Sequence, residues 1–207
     1  MFEIFLFVNP IGVHCYNTEV ALKEALSELN IDICFHFIPI NSAEIIKGDL
    51  IRRKKMGQKI NDIPQFTMVS YQALRAFHAI RFTYGQKKAR TYLFNLQKAI
   101  SADFNDYSEN LPQEIAEKLN MNFAKIRDAK VSHYIDDSIK RDQDLAEKLN
   151  VHNIPTTIIY NQSGNYNGIL LEGIVAHDKL IDIFKNSANQ PQPKQTKYFA
   201  SSHLRLI

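Results

Sequence analysis

Residues 4–15 read IFLFVNPIGVHC, and the order of apolar, turn and helical residues in this segment indicates the fold class. It opens with five apolar residues in a row, which is typical of a strand that is buried on both faces. An Asn-Pro pair then indicates a turn, and a helical pattern begins near Cys15 and continues over residues 16–29. Residues 31–40, IDICFHFIPI, predict a second strand. Strand, helix and strand at this spacing form a βαβ unit, whose crossover is almost always right-handed.

Helical periodicity dominates the middle of the chain. It predicts helices near residues 66–82, 86–101, 112–120, 122–133 and 136–149. Strand character returns at residues 155–160 and 168–171, and a last helix is predicted over residues 176–186. The order is therefore βαβ, a block of helices, one long helix and ββα. This order predicts an α/β protein with a thioredoxin fold and a helical insertion.

The chain divides accordingly into three parts. Residues 1–42 and 136–186 are expected to form a thioredoxin-like domain, and residues 43–135 an inserted helical domain. Residues 187–207 are expected to be a mobile C-terminal tail, because their Gln- and Pro-rich start has no apolar face to bury.

Composition narrows the function classes. The 207 residues carry a formal net charge of +3, which is too weak a bias to indicate nucleic-acid binding. The chain shows no signal-peptide pattern and no apolar stretch of membrane-spanning length, so we expect a cytoplasmic protein without membrane contacts. In that reducing compartment a structural disulfide is not expected.

Two cysteines also exclude a Cys-rich zinc site, and we predict no metal ligands.

The candidate active site is Gly12-Val13-His14-Cys15, between the first strand and its helix. Backbone N–H groups and the helix dipole favour a thiolate in such a place. A thiol–disulfide enzyme would have Cys-x-x-Cys here, but Gly12 replaces the attacking cysteine. Two interpretations of Cys15 stay open: a remnant with a packing role, or a single reactive thiol that acts as a catalytic residue. His14 could tune such a thiolate through its charge, or be a surface histidine of the turn.

Three features of residues 2–186 resemble the DsbA-like branch of the thioredoxin superfamily. The sequence GVHC at residues 12–15 matches the His and the second Cys of the Cys-x-His-Cys that this branch often has. The sequence NIPT at residues 153–156 resembles its cis-proline loop, and the helical insertion lies in the same place.

Within that branch, the short N-terminus and two segments are similar to cytoplasmic adaptor proteins of the YjbH/SpxH type. The segments are LKEALSELNIDICFHFIPIN at residues 22–41 and YLFNLQ at residues 92–97. The resemblance implies an adaptor with a degenerate active site, whose partners are an Spx-like transcription regulator and the ClpXP protease. Gly12 departs from the Cys-x-x-Cys that many of these proteins keep.

The resemblance also implies a binding role for the proline loop. A cis bond between Ile154 and Pro155, which we expect, would expose the Ile154 backbone to an extended peptide or to glutathione. The expected binding residues are Gly12, Val13, Ile154, Pro155 and Thr156, and glutathione is the one cofactor considered. The alternative function is a thiol–disulfide oxidoreductase or isomerase, or a glutathione-dependent transferase of the kappa type, that uses Cys15 alone.

Two features lie outside these motifs. The dense basic run Arg52-Arg53-Lys54-Lys55 is predicted to lie in a loop, where it is either simply solvated or a docking patch for an acidic partner segment. Cys34, in the second strand, is expected to be a small core residue.

Overall fold

The computed structural model describes residues 1–29, 31–101, 104, 107–161 and 168–188. Within them, the elements in chain order are β1 (Phe2–Val8), α1 (Val13–Leu29), β2 (Ile33–Pro39), α2 (Ala43–Lys55), α3 (Ile63–Tyr84), α4 (Gln86–Ile100), α5 (Leu111–Lys118), α6 (Phe123–Ala129), α7 (His133–Lys148), β3 (Thr156–Asn161), β4 (Ile169–Glu172) and α8 (His177–Ala188). The strands form one sheet of order β2-β1-β3-β4. Strand β1 is parallel to β2 and antiparallel to β3, and β3 is antiparallel to β4.

Strand β1 lies at the centre of the sheet because its side chains are apolar on both faces. All of its residues are buried except Glu3, which is half-buried. On one face Phe2 packs edge-on against Phe184 of α8, with ring centroids 5.2 Å apart. Helix α1 packs against both α8 and α4, so the inserted helices share one core with the sheet.

Helix α2 was not predicted from the sequence. Ser42 caps it, and the Ser42 Oγ accepts a hydrogen bond from the Ile45 N–H at 3.2 Å. Residues 52–55 form its last turn, where positive charges complement the helix dipole. The prediction that this basic run lies in a loop is therefore wrong. Its buried residues are only Ile46, Asp49 and Arg53, so the apolar periodicity that reveals most helices is missing.

The later boundaries differ slightly from the predicted ones. Helix α7 begins at His133 and not at Asp136, because the Ser132 Oγ accepts a hydrogen bond from the Tyr134 N–H at 3.4 Å. Residues 187 and 188 end α8, and residues 189–207 of the predicted tail lie outside the described part of the chain. None of the described helices is both long and apolar enough to cross a bilayer.

A buried polar cluster fixes α3 against α7. The His78 Nδ1 lies 3.0 Å from the Ser138 Oγ, and the Arg81 guanidinium donates to the Asp142 carboxylate at 3.1 Å. Burial lowers the pKa of His78 to about 3, helped by the nearby arginine charge. Burial also raises the pKa of Asp142 to about 6, against the opposing effect of Arg81. This cluster therefore makes the stability of the protein depend on pH.

Candidate functional site

Cys15 lies in the first turn of α1 and is sealed from solvent. Its exposed fraction is 1%. The Cys15 Sγ accepts a hydrogen bond from the Asn9 N–H at 3.2 Å. Burial and the nearby Asp49 carboxylate raise the pKa of the Cys15 thiol far above its ordinary value. The thiol is therefore protonated at neutral pH, which fits the packing interpretation of this cysteine.

Gly12 leaves no room for a side chain beside this sulfur. A Cβ built at position 12 would lie 2.7 Å from the Cys15 Sγ and 3.0 Å from the Asn9 Cβ. In a disulfide, the Cβ of one cysteine lies about 3 Å from the sulfur of the other. The backbone thus still has the spacing of a Cys-x-x-Cys pair, although the attacking cysteine is absent.

A carboxylate from α2 occupies the N-terminus of α1, where a thiolate would be stabilised in an active enzyme. The Val13 N–H donates to the Asp49 Oδ1 at 3.3 Å. The Arg53 Nε donates to the Asp49 Oδ2 at 2.9 Å, and the Arg53 Nη2 donates to the Ile11 carbonyl at 2.8 Å. Both charged side chains are buried. The Asp49 carboxylate therefore already supplies a negative charge at the N-terminus of α1, and the Arg53 guanidinium neutralises this charge.

This pair corrects one sequence interpretation. Arg53 was counted in a basic run that was either solvated or a docking patch, but it is completely buried beneath the site. Arg52 is half-buried, and Lys54 and Lys55 are exposed. Within this basic run, solvent therefore reaches Arg52, Lys54 and Lys55 but not Arg53. One signal in the sequence pointed to the pair, because Asp49 and Arg53 have the i, i+4 spacing of a helical ion pair.

A second set of buried polar residues, missed by the sequence analysis, holds the turn before α1. The Asn9 Oδ1 accepts hydrogen bonds from the Ile11 N–H at 3.1 Å and from the Ser70 Oγ at 3.2 Å. The Gln97 Nε2 donates to the Asn9 carbonyl at 3.0 Å, and the Asn41 Nδ2 donates to Ser70 at 2.9 Å. Ser70 lies on α3 and Gln97 on α4. The inserted helices α3 and α4 thus hold the turn before α1 through hydrogen bonds to Asn9.

His14 cannot supply a positive charge to the site. It is half-buried, and burial together with the Arg52 guanidinium lowers its pKa below the ordinary value. The imidazole is therefore neutral at pH 7, so it would not stabilise a thiolate by charge.

The proline loop lies at the same end of the sheet as Gly12. The peptide bond between Ile154 and Pro155 is cis. The register pairs Thr156 of β3 with Phe7, near the end of β1, and the turn that contains Gly12 follows directly. Ile154 and Thr156 are buried, and the Pro155 carbonyl accepts a hydrogen bond from the Gly173 N–H at 2.7 Å. The fold therefore brings the two predicted parts of the site, the Gly12 turn and the proline loop, to the same end of the sheet.

The sequence matches a known family along most of its length. The family model Thioredoxin_5, described as thioredoxin, matches residues 5–181. The chain belongs to this thioredoxin family. Its structure is similar to a probable DsbA oxidoreductase from Streptomyces coelicolor, with a TM-score of 0.66, 9% identity and coverage of 95% of this chain and 94% of that one. It is also similar to the catalytic domain of ScsC from Proteus mirabilis, with a TM-score of 0.61, 14% identity and coverage of 91% and 84%.

One curated relative is the ClpXP adapter protein SpxH of Bacillus subtilis. It is 21% identical over an alignment that covers 99% of this chain and 77% of the relative. Together these similarities confirm the predicted thioredoxin fold with a DsbA-like helical insertion. At these identities the solved structures support the fold alone.

Proposed function

We propose that this thioredoxin-family protein is an adaptor that binds another protein and does not catalyse thiol–disulfide exchange. The observation that carries the proposal is the sealed Cys15, with the Asp49–Arg53 pair in the place where an enzyme would stabilise a thiolate. A dithiol enzyme needs an accessible thiolate that attacks and a second thiol that resolves the mixed disulfide. Gly12 removes the first of these, and burial of Cys15 removes the reactivity of the second.

The partner that we propose is an Spx-like transcription regulator, presented to the ClpXP protease. The support comes from the SpxH relative, whose similarity covers 99% of this chain. The intact fold around a chemically silent site is consistent with a scaffold that is used for recognition. Arg52, Lys54 and Lys55, in the last turn of α2, then form the candidate docking patch for an acidic segment of the partner.

Reconstituted proteolysis tests the proposal. Purified ClpX, ClpP and Spx are mixed with and without this protein, and the loss of Spx is followed over time. We expect faster degradation with the wild type and the same acceleration with Cys15→Ser, because the thiol takes no part. A double charge reversal, Lys54→Glu with Lys55→Glu, should weaken the effect. Lys148→Glu is the matched control, since Lys148 is also an exposed lysine in the last turn of a helix.

Two results would contradict the adaptor proposal. The first is an unchanged rate of Spx loss in the reconstituted system and an unchanged Spx half-life in cells that lack this protein. The second is an acceleration that disappears in Cys15→Ser while the variant keeps the circular dichroism and melting temperature of the wild type. If the double variant Lys54→Glu/Lys55→Glu accelerated Spx loss as much as Lys148→Glu does, the docking patch would be rejected and the adaptor proposal would remain.

The alternative is an enzyme that uses Cys15 alone, as a thiol–disulfide oxidoreductase or isomerase or as a glutathione-dependent transferase. The observation that favours it is the hydrogen bond from the Asn9 N–H to the Cys15 Sγ at 3.2 Å, because this contact stabilises the thiolate and acts against the effect of burial on the pKa of Cys15. Reduction of insulin and of a glutathione mixed disulfide would measure such activity. Activity in the wild type that is lost in Cys15→Ser would establish the alternative, and equal rates in both proteins would remove Cys15 from any mechanism.

A further inference from the structure

Three side chains with metal-binding groups meet on one face of the sheet, away from the Gly12 turn. Glu3 of β1 lies directly opposite Cys34 in the parallel pairing with β2, and His36 is two residues further along β2. Because side chains alternate between the faces of a strand, all three point to the same face. Cys34, which was expected to be a core residue, is instead half-buried.

Their ligand atoms converge around the imidazole of His36. The His36 Nε2 lies 2.9 Å from the Glu3 Oε1 and 3.4 Å from the Cys34 Sγ. One ligand atom from each residue lies within 4.8 Å of the other two. In a tetrahedral zinc site, bonds of about 2.0–2.3 Å place neighbouring ligand atoms about 3.3–3.6 Å apart. The distance between His36 and Cys34 already lies in this range, and the distance between His36 and Glu3 needs to open by about 0.4 Å.

The imidazole of His36 is held by a ring contact, and the cluster is partly exposed to solvent. The His36 ring stacks on Phe5, with centroids 4.4 Å apart and planes inclined by 14°, which fixes the direction of its Nε2. The side chains of His36 and Glu3 are 17% and 24% exposed, so solvent can reach the cluster and fill a fourth ligand position. Over the described residues, no lysine or arginine pairs with the Glu3 carboxylate.

We propose that Glu3, Cys34 and His36 bind a zinc ion, with a water molecule as the fourth ligand. A thiolate, an imidazole and a carboxylate together suit zinc, whereas magnesium and calcium prefer ligand sets made of oxygen alone. The ion would link the start of β1 to β2 and stabilise the folded chain by mass action. At about 3.3 Å per residue, Glu3 lies about 20 Å from Asn9, so this site is independent of Cys15 and of the proposed adaptor function.

Cobalt titration of the full chain, without an affinity tag and after removal of metal with a chelator, tests the proposal. A thiolate bound to Co²⁺ gives a charge-transfer band in the near ultraviolet, and zinc should displace the cobalt and remove this band. We expect one equivalent of Co²⁺ to produce the band in the wild type. Cys34→Ser should abolish it, and His36→Phe, which keeps an aromatic ring on Phe5, should weaken binding by at least about tenfold. Cys15→Ser is the matched control and should keep the band.

The proposal is overturned if the wild type gives no such band, or if the band survives in Cys34→Ser. Alkylation of the wild-type protein tests the site even if a variant fails to fold. Zinc should slow the alkylation of Cys34 by iodoacetamide, as read from the mass of the peptide that contains it. Alkylation at the same rate with and without zinc would reject the site.

Discussion

The substitution Gly12→Cys tests whether this site still has the geometry of a dithiol pair. The Cβ that it adds would lie 2.7 Å from the Cys15 Sγ and 3.0 Å from the Asn9 Cβ. Unbonded heavy atoms pack best about 3.5–4.0 Å apart, whereas a disulfide brings Cβ and the partner sulfur to about 3 Å. The reduced variant is therefore overpacked, and we expect its free energy of unfolding to be lower than that of the wild type by about 1–3 kcal/mol. Oxidation replaces the clash with a bond and should restore most of that loss.

Urea unfolding with and without reductant measures this difference, and alkylation followed by mass spectrometry counts the thiols. The wild type has two cysteines, so the oxidised variant, which has a third at position 12 and uses two in the disulfide, should keep one free thiol, that of Cys34. Gly12→Ala is the matched control, because it adds the same Cβ without a sulfur. It should be destabilised to a similar extent, with or without reductant. The reasoning is refuted if Gly12→Ala is as stable as the wild type, or if the oxidised Gly12→Cys protein keeps all of its thiols.

Three further predictions concern burial and charge. Arg53→Met should lower the free energy of unfolding by about 3–5 kcal/mol, because it leaves a buried carboxylate unpaired, whereas the exposed Lys54→Met should change it by less than about 0.5 kcal/mol in the same urea titration. In the native protein Ellman's reagent should react with Cys34 and leave Cys15 unmodified until denaturant is added; equal native rates would contradict the burial of Cys15. Because the folded-state pKa of Asp142 is raised to about 6, the folded protein binds a proton at Asp142 that the unfolded chain has released, and the contribution of Asp142 to stability is lost as pH rises from about 4 to 6. His78, whose pKa is lowered to about 3, contributes in the opposite direction over this range, so the comparison with Asp142→Asn isolates the effect of Asp142. The free energy of unfolding of Asp142→Asn should rise relative to that of the wild type by up to about 3 kcal/mol between about pH 4 and 6. A difference in the free energy of unfolding that stays constant with pH would contradict this.

Local patterns in the sequence were sufficient for most of the fold. Continuous apolar runs indicated β1 and β2, and helical periodicity indicated α3 to α7, because these elements bury an apolar face that recurs at a regular spacing. Helix α2 was missed because the residues that it buries include Asp49 and Arg53, which a periodicity search counts as polar. Its side chains are buried through hydrogen bonds to other parts of the chain, and such bonds leave no periodic signal.

Only part of the candidate site could be predicted from the sequence. Gly12, Cys15 and the Ile154-Pro155 pair stand in recognisable motifs, so their place in the fold could be expected. The residues that replace a thiolate at the helix N-terminus could not be predicted, because Asp49 and Val13 are 36 positions apart in the sequence. Asn9 and Gln97, which hold the turn, are separated by 88 positions.

The order of strands and helices and the loss of the attacking cysteine follow from the amino-acid sequence alone, since both depend on residues that are close together in the chain. The burial of Cys15 could be read only from the folded chain, because solvent exposure depends on residues that are far apart in the sequence, such as Asp49, which lies at the N-terminus of α1. The same holds for the cluster of Glu3, Cys34 and His36. Glu3 and His36 are 33 positions apart, and they meet because β1 pairs with β2 in one particular parallel register.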